Sequence, residues 1–225
     1  MTFSLIGRCT ETGAFGVAIT TSSICVGARC PHVRANAGAV ATQNITDPAL
    51  GPAILDELEN GSNAEAALAA TMAGKEHLDY RQLTVIDKNG ATASFTGANI
   101  LGTNAVSAGN DCFAAGNLLK TNAVVSAMTQ GFEKSVGAHI AERLLRGLEA
   151  GVGAGGEEGP THSAALLVAH KQSFPLVDLR VDWDDHDPVA ALRRLWTDYE
   201  PQMNDYLIRA IDPDNAPSYG VPGDE

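Results

Sequence analysis

Strands arrive in hairpin-linked groups and helices in consecutive pairs, and that order restricts the fold of this chain more than any single motif. Residues 3–8 and 14–21 read as strands around the turn Thr10-Glu11-Thr12-Gly13, and residues 38–43 add a third after a loop over 25–32. Asp47-Pro48 starts one helix, which Asn60-Gly61 stops; Ser62 and Glu65 form a capping box for the next. Residues 81–87 and 91–96 are strands joined by Lys88-Asn89-Gly90, with shorter strands near 105–108 and 112–115. A second helix pair follows at 122–134 and 138–149. Strands at 163–170 and 175–182 and helices at 189–199 and 202–210 complete the chain. Alternating β-α units and a parallel sheet do not fit this order. Antiparallel sheets with helices on their outer faces use every segment. The expected fold is therefore α+β, a four-layer αββα sandwich in one domain over residues 1–211, with an irregular acidic tail over 212–225.

Charge narrows the partners. The 225 residues carry 27 acidic and 15 basic side chains, a formal balance of −12. Binding to nucleic acid or an anionic membrane needs Lys and Arg gathered on one face, so neither is expected as a partner. No apolar run is long enough to span a bilayer, and residues 1–13 lack the pattern of a secretion signal. Cys9, Cys25, Cys30 and Cys112 make no CxxC pair and read as free thiols in a reducing compartment. A cytoplasmic protein acting on a small molecule is the expectation. Trp183 and Trp196, close to the C-terminal helix, suggest a symmetric homodimer interface.

Two motifs fail on physical grounds. Gly151-Val152-Gly153-Ala154-Gly155-Gly156 matches GxGxxG, but it leaves a helix and enters a strand, the reverse of what a dinucleotide pyrophosphate needs. It reads as a mobile surface loop, and no cofactor is expected. Asp182-Trp183-Asp184-Asp185-His186-Asp187 lacks the glycine and glutamate of a calcium loop; Asp187 reads as a helix cap and the rest as a solvated turn, so no metal is expected. The six histidines form no zinc-binding pair, although His162 could serve a nearby hydroxyl as a base.

Two segments hold chemistry. Along residues 176–182, period-two geometry puts Asp178, Arg180 and Asp182 on one face, where Arg180 could bind a substrate carboxylate. Thr2 directly follows the initiator Met, which is ordinarily removed before a small residue. A terminal Thr combines nucleophile and base, because its own α-amine, of reference pKa about 7.7–8.0, can accept the hydroxyl proton.

The segments MTFSLIGRCTETGAFGVAITT, AGAVATQNITDPALGPAILDELENG, AAGNLL, SAALLVAH and VDLRVDWDDHDPVAALRRL resemble the bacterial domain-of-unknown-function family numbered 1028, over about residues 2–195. The resemblance implies the Ntn-hydrolase-like fold, the αββα sandwich of N-terminal-nucleophile amidohydrolases. By the same resemblance Thr2 falls where such enzymes carry their nucleophile. Asn117, in the family's Gly-Asn motif, and Asn44 become candidates for binding an oxyanion or the substrate, and Asp178 and Arg180 match the family's VDLRVD strand. Thr21 and Ser22 stand where the family carries Ser followed by bulky aromatics, which implies a smaller or more polar pocket wall.

The leading expectation is an amidohydrolase that cleaves a small amide, ureido or cyclic-amide C–N bond. Thr2, Asn117 and Asp178 are its candidate catalytic residues, and Arg180, Asn44, Thr21 and Ser22 its candidate substrate-binding residues. The alternatives are an enzyme of the same fold without a terminal nucleophile, working through acidic residues and Arg180, and a non-catalytic ligand-binding module.

Overall fold

A computed structural model describes residues 1–223, so Asp224 and Glu225 of the acidic tail lie outside the described residues. The first hairpin pairs β1 (Thr2–Arg8) with β2 (Phe15–Thr21) in antiparallel register, Thr2 opposite Thr21 and Gly7 opposite Gly16. Alternation then divides β1. Phe3 and Leu5 point to one side, into a cluster with Val124, Phe132, Leu144 and Trp196. Ile6 points to the other, among Phe15, Val17, Ala39, Ala41 and Ile86.

Two sheets result. β3 (Pro31–Arg34), β4 (Gly38–Asn44), β5 (Arg81–Asp87) and β6 (Thr92–Thr96) make a four-stranded antiparallel sheet in that order. β7 (Ala105–Gly109), β8 (Cys112–Asn117), β9 (Ser163–Ala169) and β10 (Val177–Val181) join the first hairpin in a six-stranded sheet, ordered β10-β9-β2-β1-β8-β7. Helices α1 (Leu50–Glu59) and α2 (Ala64–Met72) bury Leu50, Ile54, Leu58 and Leu68 against Val40 and Leu83 of the smaller sheet. Helices α3 (Ala123–Glu133), α4 (Ile140–Gly153) and α5 (Pro188–Tyr199) cover the larger one. The αββα layering expected from the element order is what the chain adopts. Each large apolar side chain removed from water in these three interlayers contributes about 1.5–3 kcal/mol before conformational entropy is set against it.

Close approach of the helices depends on missing side chains. A Cβ on Gly7 would lie 2.8 Å from the Phe132 ring, and one on Gly16 would lie 2.5 Å from Leu144. The small residues of β1 and β2 thus let α3 and α4 settle onto the sheet.

Several expectations need correction. Residues 31–34, the first two of them read as the end of a loop, form the edge strand β3; its leading Pro31 lacks an N–H, which an edge position tolerates. Asn63, not Ser62, caps α2, because its side chain accepts the Ala66 N–H at 2.9 Å. Asp47 accepts the Ala49 N–H in a turn that precedes α1 instead of capping it. Gly151 and Gly153 belong to α4, so the loop begins only at Ala154. Trp196 is buried, stacked on His139 with its Nε1 donating to Glu142 at 2.9 Å, and so is taken up inside the protomer and offers no interface. After α6 (Met203–Ile211) the tail turns back, and Arg209 donates to the Pro217 carbonyl. No helix among the described residues is long and apolar enough to cross a membrane.

Candidate active site at the Thr2 end of the sandwich

The antiparallel registers bring several strand ends to one place. Thr2 opens β1, Thr21 closes β2 beside it, Asn117 closes β8 on its other flank, and Ser163 opens β9 opposite Thr21. All four are buried. The Thr2 hydroxyl lies 2.6 Å from the Met1 carbonyl oxygen and 3.0 Å from the Thr21 hydroxyl, and the Thr21 hydroxyl also donates to the Met1 carbonyl. Two hydroxyl protons serve three close oxygens, so the Met1 carbonyl is held by donors on both sides.

Beneath this pair a chain of buried amides links both sheets. Ser4 Oγ donates to Gln43 Oε1 at 2.7 Å, Gln43 Nε2 donates to Gln82 Oε1 at 2.7 Å, and Asn117 Nδ2 donates to the same oxygen at 3.2 Å. Gln82 Nε2 in turn donates to the Gly116 carbonyl at 3.2 Å. The network fixes the Asn117 amide and leaves its Oδ1 buried with no hydrogen-bond partner. Immediately after it Leu118 takes φ +49, a left-handed conformation that costs a bulky residue about 1–3 kcal/mol.

Glu157 is the residue that the sequence reading missed. The loop after α4, expected to be mobile, is pinned: Lys120 N–H donates to Gly156 O at 3.1 Å, Glu158 N–H to Leu118 O at 2.9 Å, and Glu157 bridges to Leu119. Glu157 is thereby only 3% exposed, and neither carboxylate oxygen has a hydrogen-bond partner. Burial pushes its pKa up to about 8, opposed by the positive terminal amine and the nearby Ser22 N–H. A carboxyl poised close to neutral pH in a cleft is what acid–base work requires. The only hint in the sequence is an acid set between glycines, in Gly155-Gly156-Glu157-Glu158-Gly159.

A cleft of about 240 Å³ opens beside Glu157, lined also by Phe3, Lys120, Gly159, Pro160 and His186. Met1 runs along its edge, because a Cβ on Gly159 would touch the Met1 side chain at 3.0 Å.

The other candidates lie elsewhere or are already engaged. Asn44 has φ +72 and uses both ends of its amide, donating to Tyr80 O at 2.8 Å and accepting from Leu101 N–H at 3.3 Å, so it ties loops together. Asp178 and Arg180 pair with each other at 2.7 and 2.9 Å on the exposed face of β10. That strand is three places from β1, about 14 Å at ordinary strand spacing. Asp178 therefore does not reach the Thr2 hydroxyl, and its expected place among the catalytic side chains is not supported by this geometry. The Arg180 stem packs over Gly27. His162 stacks on Trp183 with ring centroids 4.3 Å apart, and its Nδ1 lies 3.2 Å from Asp184 O.

The acidic run behaves as a turn. Asp184 accepts the N–H groups of His186 and Asp187, Asp185 accepts from Trp183 Nε1, and Asp187 caps α5 through the Ala190 N–H at 2.9 Å. Among the described residues no group of three or more His, Cys, Asp or Glu side chains is placed to hold a metal ion. All four cysteines are free, and burial pushes Cys30 up to about 11 and Cys112 up to about 12.

Comparison with known proteins places this geometry in context. The model of a family of unknown function, DUF1028, matches residues 2–192. The chain is similar to the crystal structure of protein SPO2555 from Silicibacter pomeroyi, which is labelled with the same family model: 35% identity, 88% of each chain covered, TM-score 0.80. It also superposes on Anbu (ancestral beta-subunit) from Yersinia bercovieri, at 11% identity over 91% of this chain and 97% of that one, TM-score 0.39. An Anbu (Gly-1) mutant from Hyphomicrobium sp. strain MC1 gives 12% identity, 90% and 96% coverage and TM-score 0.40. At that level of superposition neither Anbu structure bears on the chemistry of this chain. Comparison with curated proteins gave no match.

Proposed function

This chain belongs to the DUF1028 family, and we propose that it is an amidohydrolase whose nucleophile is Thr2, exposed by removal of Met1. The observation that carries the reading is the setting of the Thr2 hydroxyl. It is buried at a strand end, 2.6 Å from a carbonyl oxygen that the Thr21 hydroxyl also grips, beside a buried carboxyl with no partner.

With Met1 gone, the Thr2 α-amine stands on the same residue as its hydroxyl. The amine takes the hydroxyl proton as Oγ1 adds to a substrate carbonyl carbon. The oxyanion is held by the Thr21 hydroxyl, which already donates to a carbonyl at this position. Collapse breaks the C–N bond, the protonated amine returns its proton to the leaving nitrogen, and an ester on Thr2 remains. Water then adds to that ester with the amine as base, releasing the acid and restoring the hydroxyl. The Ser4–Gln43–Gln82–Asn117 network keeps the floor rigid, and the second N–H of the Asn117 amide is the further donor available to the developing charge. Glu157 lies where it can exchange protons near neutrality.

The test is a chain released from a cleavable N-terminal fusion so that it begins at Thr2, assayed on small amide, ureido and cyclic-amide substrates. Hydrolysis by that chain, with none by its Thr2→Ala counterpart, is expected. Equal turnover by the Thr2→Ala chain, or by a chain that keeps Met1, sinks the reading.

A further inference from the structure

Met1 is itself an acyl group, bonded to the Thr2 nitrogen and lying against the Thr2 hydroxyl. Its carbonyl oxygen sits 2.6 Å from Thr2 Oγ1 and also accepts from Thr21. Its side chain lies against Gly159. Its amino group is near enough to Glu157 for the positive charge to act on that carboxyl. Three parts of one amino-acid residue thus meet three different features of the protein.

Glu157 is the feature that calls for explanation. A buried carboxyl is ordinarily paired with a cation or given hydrogen-bond donors, since desolvation without either is costly. Glu157 is 3% exposed and lines the cleft; the Ser22 N–H is nearby but neither carboxylate oxygen makes a well-formed hydrogen bond, and Glu157 takes part in none of the ion pairs found among the described residues. Lys120, His186 and Asp187 line the same cleft without pairing with it. A carboxyl kept buried and unpaired at the mouth of a cleft is matched by a ligand that brings its own donors. An ammonium group supplies three, together with the compensating charge.

Resting on the Thr2 reaction above, we infer that the space Met1 fills is the acyl subsite, and that Glu157 recognises a free amino group adjacent to the scissile carbonyl. The substrate class is then an α-amino acid amide, or the first residue of a short peptide, with its side chain running along Gly159. Amides that lack the amine, or carry it acylated, leave Glu157 buried without a partner and are disfavoured.

The experiment separates this subsite from the reaction. A Thr2→Ala chain, released from a cleavable fusion so that it begins at residue 2, is titrated at pH 7 with L-methioninamide, N-acetyl-L-methioninamide and the deamino analogue 4-(methylthio)butanamide. L-Methioninamide is expected to bind at least tenfold more tightly than either of the others. That preference should disappear in a Thr2→Ala, Glu157→Gln chain. Glu157→Asp, which keeps a carboxyl at shorter reach, should retain part of it, and it carries the test if the Gln variant does not fold. Equal affinity for the three ligands, preference for an amine-free ligand, binding of none, or a preference that survives Glu157→Gln overturns the inference. Turnover is scored separately on the Thr2 chain: a binding preference with no turnover of any amide leaves the subsite standing while the Thr2 reaction fails.

Discussion

At the Thr2 end, few charges are present and two buried polar groups are left without partners; from Asp178 to Asp187, charges are dense and most are engaged. Glu157 and Asn117 Oδ1 are buried and unpartnered at the first region. In the second, Asp178 binds Arg180, Asp184 and Asp185 close a turn, and Asp187 caps a helix, all within reach of solvent. The difference teaches that charge density in a sequence marks solvation, whereas an unsatisfied buried group marks a place for something the chain does not itself supply. A salt bridge between side chains more than a third exposed, such as Asp178–Arg180, is worth at most about 1 kcal/mol. A buried carboxyl without a partner can cost several times that.

The contrast can be broken in four ways. The largest expected effect is on turnover: in a chain beginning at residue 2, Thr2→Ala lowers kcat by about 10³-fold or more, in line with loss of other nucleophiles. Asp178→Asn and Arg180→Ala should change it less than about threefold. Steady-state kinetics on one amide substrate decides this, and a large loss in Asp178→Asn would move the chemistry to β10.

The second concerns pH. Glu157 has its folded pKa raised from 4.5 to about 8, so between those values the folded state holds more protons than the unfolded one. Its contribution to stability is therefore complete below pH 4.5 and is lost as pH rises toward 8. Denaturant titrations of the Met1-bearing chain should show Glu157→Gln gaining on the parent by up to about 1.4 kcal/mol per pH unit across that window. A difference that stays flat with pH contradicts the buried, raised carboxyl.

Next in size is the helix cap. Asp187→Ala should destabilise the fold by about 1 kcal/mol in denaturant unfolding, through loss of the acceptor for the Ala190 N–H. The smallest effect belongs to the exposed pair: the double variant Asp178→Asn, Arg180→Ala should lie within about 1 kcal/mol of the parent in thermal or chemical unfolding. A larger loss would show that β10 is held by that ion pair and not by Val177, Leu179 and Val181 beneath it.

Much of the architecture was legible because it rests on local pattern. The apolar run over residues 3–8 located β1, the Lys88-Asn89-Gly90 turn located a hairpin, and Asp187-Pro188 located the start of α5. Where local rules misled, a tertiary neighbour had intervened. Residues 31–34 became a strand because β4 was beside them, and residues 154–159 became ordered because the segment after β8 gave their backbone hydrogen bonds. The same holds at the site. Thr2 was legible from its place after Met1, and Thr21 only through the family resemblance; that the two face each other came from the register of the first hairpin. Gln43 and Gln82 carried no signal and Glu157 only its setting between glycines, since each gains its meaning from distant residues or from burial that no pattern encodes.

The sequence by itself determined the layers, because hydrophobic periodicity and turn chemistry act over a few residues and are written in order along the chain. It also determined that a hydroxyl residue stands at the second position. The tertiary structure alone decided which polar groups share one end of the sandwich and which of them are denied water. Those outcomes depend on antiparallel register between distant strands and on desolvation, and neither exists until the two sheets have closed on each other.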